Sequence, residues 1–158
     1  MTIIIRRATA AEADVIEAVM QQSFEAYRSA YTPEAYQATA LNAEQIRSRL
    51  NEGPIWVAAQ GALRVIVGTL AARPRGQALY VRSMAIVPAA RGQQLGRRLL
   101  ETVQDFALQN SFTSLFLSTT PFLSRAIRLY EGFGFQRSDE GPHELFGTPL
   151  VTMVKMLE

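Results

Sequence analysis

Apolar positions along this chain switch between a period of two and a period near four, and the switches mark out its elements. Residues 2–7 are a β-branched run that predicts a first strand. Thr9-Ala-Ala-Glu12 is a capping box, and Ile16, Val19, Met20, Ser23, Phe24 and Tyr27 follow it at helical spacing. Pro33 interrupts, a short helix over 34–40 follows, and Asn42 caps another with Ile46 and Leu50 on one face. Gly53-Pro54 ends that helix. Strands over 55–59 and 63–72 join at Gln60-Gly61-Ala62 as a hairpin, Arg73-Pro-Arg-Gly76 is the next turn, and 78–87 the next strand. Leu95, Leu99, Val103 and Phe106 face the core from a helix running to about Leu108. Residues 114–118 read as a buried strand and 124–133 as a helix. Residues 135–137 and 151–156 are closing strands around a Gly/Pro-rich loop. No repeat, low-complexity tract or linker breaks this order, so 1–158 is read as one α/β (α+β) domain, long enough for a full core.

Composition narrows the class of function. Apolar residues make up 48% of the chain, and the mean hydropathy of +0.03 is that of a globular domain. No apolar run approaches the ~20 residues of a membrane span and no charged-then-apolar leader is present, so the cytosol is the expected compartment, with no membrane partner. The absence of cysteine excludes thiol nucleophiles and disulfides. A lone His143 argues against a histidine metal site, and no metal is expected. The net charge of +2 conceals that every basic residue but Lys155 is Arg, which suits planar, bidentate partners such as phosphate and carboxylate. These arginines are scattered and form no dense basic stripe, so no nucleic-acid partner is expected.

The stretch from Met84 to Arg97 carries the most chemistry. It reads as a buried strand, a break at Pro88, a loop with Gly92 and Gly96, and a helix start. A glycine-bearing loop at a helix N-terminus gathers free backbone N–H groups where the helix dipole favours negative charge, so it holds phosphate. A mononucleotide P-loop needs Gly-Lys-Ser/Thr, but Arg97 and Arg98 follow Gly96. A dinucleotide fingerprint needs Gly-x-Gly-x-x-Gly, which is absent.

Arg91-Gly-Gln-Gln-Leu-Gly96 instead resembles the acyl-CoA signature of the GNAT family, the Gcn5-related N-acetyltransferases, written Gln/Arg-x-x-Gly-x-Gly/Ala. Arg91 and Gly96 match its ends, and Gln94 stands at the usual middle glycine. A second run, Ala126-Ile-Arg-Leu-Tyr-Glu-Gly-Phe-Gly-Phe135, is similar to the family's Ala-Ile-x-Leu-Tyr-x-x-x-Gly-Phe, with Leu123 where an Asn is common. The order β-αα-βββ-αβ-αββ is also that of the family. The resemblance implies a GNAT fold: a central mixed, mostly antiparallel sheet, splayed at the acyl-CoA site, with helices on both faces.

It also implies an acetyl-CoA-dependent N-acetyltransferase acting on a small-molecule or peptide amine, with a homodimer left open. Backbone N–H groups from Arg91 through Gly92, Gln93, Gln94, Leu95 and Gly96 to Arg97 would cradle the pyrophosphate. Arg97 or Arg98 would add charge, and Arg125 and Arg128 would reach the adenosine end. Backbone donors on Met84, Ala85 and Ile86 would meet the pantetheine and thioester carbonyl. Tyr130 matches the family's general acid; a phenol near pKa ~10 can donate to a thiolate whose acid is near ~8.5. Tyr27, Tyr31 and Arg82 are candidates for the amine pocket. For the base, His143 is favoured because imidazole is the side-chain type that ordinarily changes charge near neutrality, with a water chain as the alternative. A contrasting expectation is a GNAT-fold protein that binds CoA without turnover, supported by Gln94 and Leu123.

Overall fold

The computed structural model describes residues 2–158. Its elements are strand β1 (Ile3–Arg7), helices α1 (Ala13–Phe24), α2 (Pro33–Thr39) and α3 (Ala43–Leu50), and strands β2 (Ile55–Gln60), β3 (Val65–Arg75) and β4 (Ala78–Ile86). There follow α4 (Leu95–Gln109), β5 (Ser114–Thr119), α5 (Ser124–Phe133), β6 (Gln136–Ser138), a small hairpin of β7 (Glu144–Leu145) and β8 (Thr148–Pro149), and β9 (Val151–Met156). Seven strands form one sheet in the order β1-β2-β3-β4-β5-β9-β6, antiparallel throughout except for the parallel pair β4–β5. Among the described residues no helix is long and apolar enough to cross a membrane.

Alternation along the central strands feeds a core on each face of the sheet. Ile55 and Val57 join Ile16, Val19 and Met20 of α1 and Ile46 of α3 on one side. Trp56, Leu70 and Leu79 join Leu99, Leu100 and Val103 of α4 and Ile127 of α5 on the other. The apolar spacing read in the sequence is thus the spacing that buries each helix, and burial of each large aliphatic side chain is worth about 1.5–3 kcal/mol.

Three local differences from the sequence reading have physical causes. The predicted turn at 73–76 is instead a continuation of β3 to Arg75, with Pro74 opposite Leu79. The pairing of β2 has already stopped at Ile55↔Ala71, so this stretch is an edge where proline is tolerated. A 3-10 turn over Glu25–Ala30 follows α1, so Tyr27 lies on a tighter coil rather than on the helix itself. The Gly/Pro-rich loop contains the β7–β8 hairpin, turned at Phe146 (φ 48°) and Gly147 (φ 87°), as a two-residue turn with both central φ values positive requires. Thr32 fastens this hairpin to the start of α2. Its hydroxyl donates to the Phe146 carbonyl at 2.8 Å and its N–H to Thr148 Oγ1 at 2.9 Å.

Candidate active site

The sheet divides at its centre. β4 and β5 pair only at Ala78↔Ser114, Leu79↔Leu115 and Tyr80↔Phe116, yet β4 continues to Ile86 and β5 to Thr119. Past Tyr80 the two strands part, and a cleft of about 780 Å³ opens between them. A bulge sharpens the fork. On β4, Arg82 faces Ala71 and Ala85 faces Thr69, so Ser83 and Met84 together stand against Leu70, and Ser83 takes a left-handed φ of 59°.

One end of the cleft is built for an anion. After β4 the chain turns through Pro88–Ala90 and enters the fifteen-residue α4 at Leu95. The Arg98 N–H reaches the Gln94 carbonyl at 3.1 Å, closing the first helical turn. The N–H groups of Leu95, Gly96 and Arg97 therefore have no acceptor within the helix. No acidic residue occupies that turn. Gln94, the N-cap, sits at φ 59°, so the middle position of the signature is a left-handed residue, the conformation that glycine takes without steric cost. At Gly96 a Cβ would lie 2.6 Å from Leu129 Cδ2, 3.6 Å from Ile86 Cδ1 and 3.7 Å from Met84 Cε, so the closeness of α4 to α5 and β4 depends on its absence. Arg97, Arg125 and Arg128 line the cleft, and among the described residues none has a carboxylate within 4.0 Å. Arg91 lines it too, but its Nη2 donates to the Ser23 carbonyl at 3.1 Å, tying the loop to α1. The Gln93 side chain is exposed and accepts from Gln60 Nε2 at 2.9 Å, which leaves its backbone as its only offering to the loop.

Strand alternation sorts the expected donors on β4. The Val87 N–H bonds the Val67 carbonyl at 2.9 Å, toward β3, and Ala85 therefore faces β3 as well. Met84 and Ile86 turn their N–H groups toward the gap. Ile86 already donates to Ser23 Oγ at 3.3 Å, which leaves Met84 as the open donor of the three. Ala85 is thus corrected from a donor into the gap to a ladder and core residue, 2% exposed, because two consecutive N–H groups of a strand cannot point to the same side.

Facing this strand, α5 presents Tyr130, whose ring packs edge-on to Phe135. Burial pushes its phenol well above the usual range, with Tyr31 adding to the shift. Tyr31 and Tyr27 line the cleft near its mouth, both against Phe122, with ring centroids at 4.9 and 6.1 Å. Burial also raises the Tyr31 phenol. Its hydroxyl approaches Thr120, whose Oγ1 lines the cleft without closing a hydrogen bond of ordinary geometry.

The remaining wall is cationic. Arg82 of β4 and Arg49 of α3 both line the cleft. Arg49 Nη1 donates to Ser83 Oγ at 2.6 Å. Arg82 Nη2 pairs with Glu52, which also lies 3.9 Å from Arg73 Nη1, and the guanidinium of Arg82 covers the Tyr80 ring at 5.7 Å. The Arg82 side chain is only 13% exposed and its Nε has no partner. Burial, reinforced by the charge of Arg82, lowers Arg49 to about 10.

The split sheet, the uncapped N-terminus of α4 and the buried Tyr130 thus meet in one cleft. The sequence model of the acetyltransferase (GNAT) family matches residues 16–135. The chain belongs to this family. An IAA acetyltransferase of Azospirillum brasilense is 36% identical over 91 residues, which cover 58% of each chain. N-acetyltransferase 8F1 of Rattus norvegicus is 34% identical over 116 residues, covering 66% of this chain and 51% of that protein. The chain spans 35–58% of the length of the curated relatives it matches. Among solved structures, PaiA N-acetyltransferase of Thermoplasma acidophilum, in complex with coenzyme A, shares the fold at a TM-score of 0.84. Its identity is 15%, over 99% of this chain and 100% of that one.

In this GNAT chain the fork brings together most of the residues that the sequence singled out. Tyr27, Tyr31, Arg82, Met84, Ile86, Arg91, Gly92, Gln94, Leu95, Gly96, Arg97, Arg125 and Tyr130 all line the cleft. It does not bring His143 there. That residue is exposed outside the cleft, and its carbonyl accepts the Leu150 N–H at 2.8 Å, while its neighbours Pro142 and Glu144 line the mouth. Among the described residues of the lining, Glu144 is the sole carboxylate and no imidazole is present. Arg49, Ser83, Ser23 and Thr120 were not foreseen. None sits in a motif; Arg49 reads in the sequence as one more charge beside Arg47 on a polar helix face, and Ser23 as a small residue in an apolar stripe.

Proposed function

We propose that this GNAT protein transfers the acetyl group of acetyl-CoA to a primary amine by direct attack of the amine on the thioester. The observation that supports this reading best is the fork itself, which sets an unshared helix N-terminus and an open strand donor in one cleft with a buried phenol. The residues present fit the cofactor. Unpaired N–H groups at Leu95, Gly96 and Arg97 and the unpaired cations Arg97, Arg125 and Arg128 suit its phosphates, and the parted strand edge suits its amide-bearing arm. When bound, acetyl-CoA supplies the thioester whose acetyl group passes to the amine while the sulfur leaves as a thiol.

The chain's own groups divide the work. The loop from Gly92 to Arg97 holds the pyrophosphate through its backbone, and Arg91 keeps that loop against α1 through the Ser23 carbonyl. The Met84 N–H, fixed by the strand, polarises the thioester carbonyl at no cost in reorganisation. The Tyr130 hydroxyl donates its proton to the departing sulfur, and burial keeps that phenol protonated throughout the neutral range. Arg49 and Arg82 disfavour an ammonium beside them, which lowers the pKa of the incoming amine, and its proton leaves through water.

Calorimetric titration with acetyl-CoA, followed by thiol release against a panel of amines on the same sample, tests the reading. Binding with release for one class of amine supports it. Binding without release from any amine favours a CoA-binding sensor, and no binding at high-micromolar cofactor overturns both.

A further inference from the structure

Acetyl transfer to a bare amine uses the positive charge of the cationic wall but leaves the hydrogen-bonding capacity of its guanidiniums unused. Arg49, Arg73 and Arg82 gather around one carboxylate, Glu52. Glu52 is shared between Arg73 and Arg82, so the group carries excess positive charge, and two of its guanidiniums, those of Arg49 and Arg82, line the cleft. Burying such charge is costly unless it is paired. The pairing within the protein is incomplete at two points. Arg82 keeps one side of its planar fork on Glu52 while its buried Nε has no acceptor. Arg49 is pinned by a neutral group, the Ser83 hydroxyl, rather than by a carboxylate. The left-handed Ser83 at the bulge makes that arrangement possible, because the extra residue re-aims the strand toward α3.

We infer that the acceptor amine also carries a carboxylate, which Arg82 and Arg49 grip at the β4 bulge. This rests on the reading of the cleft as an acetyl-transfer site and names the acceptor's class: amino-acid-like amines rather than diamines or polyamines. A guanidinium presents parallel N–H groups that match the two oxygens of a carboxylate, and its charge-assisted hydrogen bonds are among the stronger ones available. The position suits the chemistry. In chain order Arg82 and Ser83 precede Met84, the open donor for the thioester carbonyl, while the phosphate loop follows it. A carboxylate held at Arg82 therefore lies on the acceptor side of the reacting centre. A polycation meets the opposite situation, since two guanidiniums repel it and the one carboxylate of the lining, Glu144, belongs to the hairpin at the mouth.

Matched acceptors test this: amino acids, their methyl esters, their aminophosphonate analogues, and diamines of similar length. Each is assayed by thiol release and, independently, by calorimetric binding to the CoA-loaded protein. The expected result is a preference for the acid over its ester of about 10- to 100-fold in kcat/KM, the range that charged hydrogen bonds span. Arg82→Gln should collapse that preference toward equality while leaving the affinity for CoA unchanged, and Arg82→Lys should restore part of it. Arg49→Gln should act in the same direction if Arg82→Gln does not fold. Turnover with equal rates for acid and ester, or with diamines preferred, overturns the inference and leaves the acetyltransferase standing. Preference for the phosphonate overturns the carboxylate assignment. If no amine turns over, the acetyltransferase reading falls, and the calorimetric comparison alone decides: acids that bind no tighter than esters end the inference.

Discussion

Tyr80 and Phe116 stack with ring centroids 4.8 Å apart and planes 11° from parallel, on the last rung where β4 and β5 still pair. The pair marks the crotch of the fork. Below it the strands share a ladder, and above it each strand turns its edge to the cleft. An offset aromatic pair is worth about 1 kcal/mol beyond its buried area. Phe116→Leu, which keeps apolar bulk but removes the stack, should therefore lower the melting temperature by about 2–4 °C for a chain of this length. Differential scanning fluorimetry reads the shift directly. An unchanged melting temperature would show that the backbone alone ends the pairing.

Gln94 occupies the left-handed region at the entry to α4 without a side-chain bond to the helix it caps. The strain belongs to the backbone, so shortening the side chain should not relieve it, whereas removing Cβ should. Gln94→Gly gains the left-handed relief of about 1 kcal/mol and gives back part of it as unfolded-chain entropy, a net of about 0.5 kcal/mol or 1–2 °C. Gln94→Ala should give no gain. Thermal melts of the two variants check this, and equal shifts would assign the effect to the lost amide rather than to φ.

At the N-terminal edge, Glu12 accepts both Nη atoms of Arg6, at 2.9 and 2.7 Å, and the Thr9 N–H at 2.9 Å. The Arg6 guanidinium holds the Glu12 carboxyl down to about 2, from an ordinary value of 4.5. A folded-state pKa that is depressed stabilises above the unfolded value and is lost as pH falls through the folded one. Glu12→Gln should thus cost about 1 kcal/mol at neutral pH, some 2–4 °C. The gap from the parent protein should narrow below pH 4.5 and close near pH 2. Melting curves across that range decide it; a gap that stays constant with pH would mean that the carboxylate's charge contributes nothing.

What the sequence revealed was whatever lies contiguous along it. The helices and long strands carry enough residues to show a period, and one half of the cleft lies within two runs, Met84–Arg97 and Ala126–Phe135. The cationic wall is assembled from α3, the turn after it and β4, so Arg49 and Glu52 look like unrelated surface charges until the fold joins them to Arg82, the one member of the group that the sequence singles out. The β7–β8 hairpin has two residues per strand, too few for alternation to register, and its Phe146 at positive φ carries no composition signal. Pro74 misled in the opposite direction, because proline marks a turn unless a neighbouring strand has ended. His143 is the chain's one imidazole and so stands out in the sequence, yet the fold exposes it beside the cleft.

The buried phenol of Tyr130 offers the clearest separation of chemistry from packing. Tyr130→Phe keeps the ring in the core with Phe135 and deletes only the hydroxyl. If that hydroxyl protonates the leaving sulfur, kcat should fall by about 100-fold or more, the usual weight of a positioned acid, with the affinity for acetyl-CoA unchanged. The pH dependence carries a second sign. Burial raises this phenol above its ordinary value, so the acid form persists through and beyond pH ~10. The rate should then rise with pH as the amine loses its proton, with no alkaline descent across the working range, and the Phe variant should trace the same shape at a lower level. A descending limb at pH 8–9 would point to a different acid, of unshifted or lowered pKa. A variant as fast as the parent would leave Tyr130 as a packing residue, and the thiolate would have to leave unprotonated or take its proton from water.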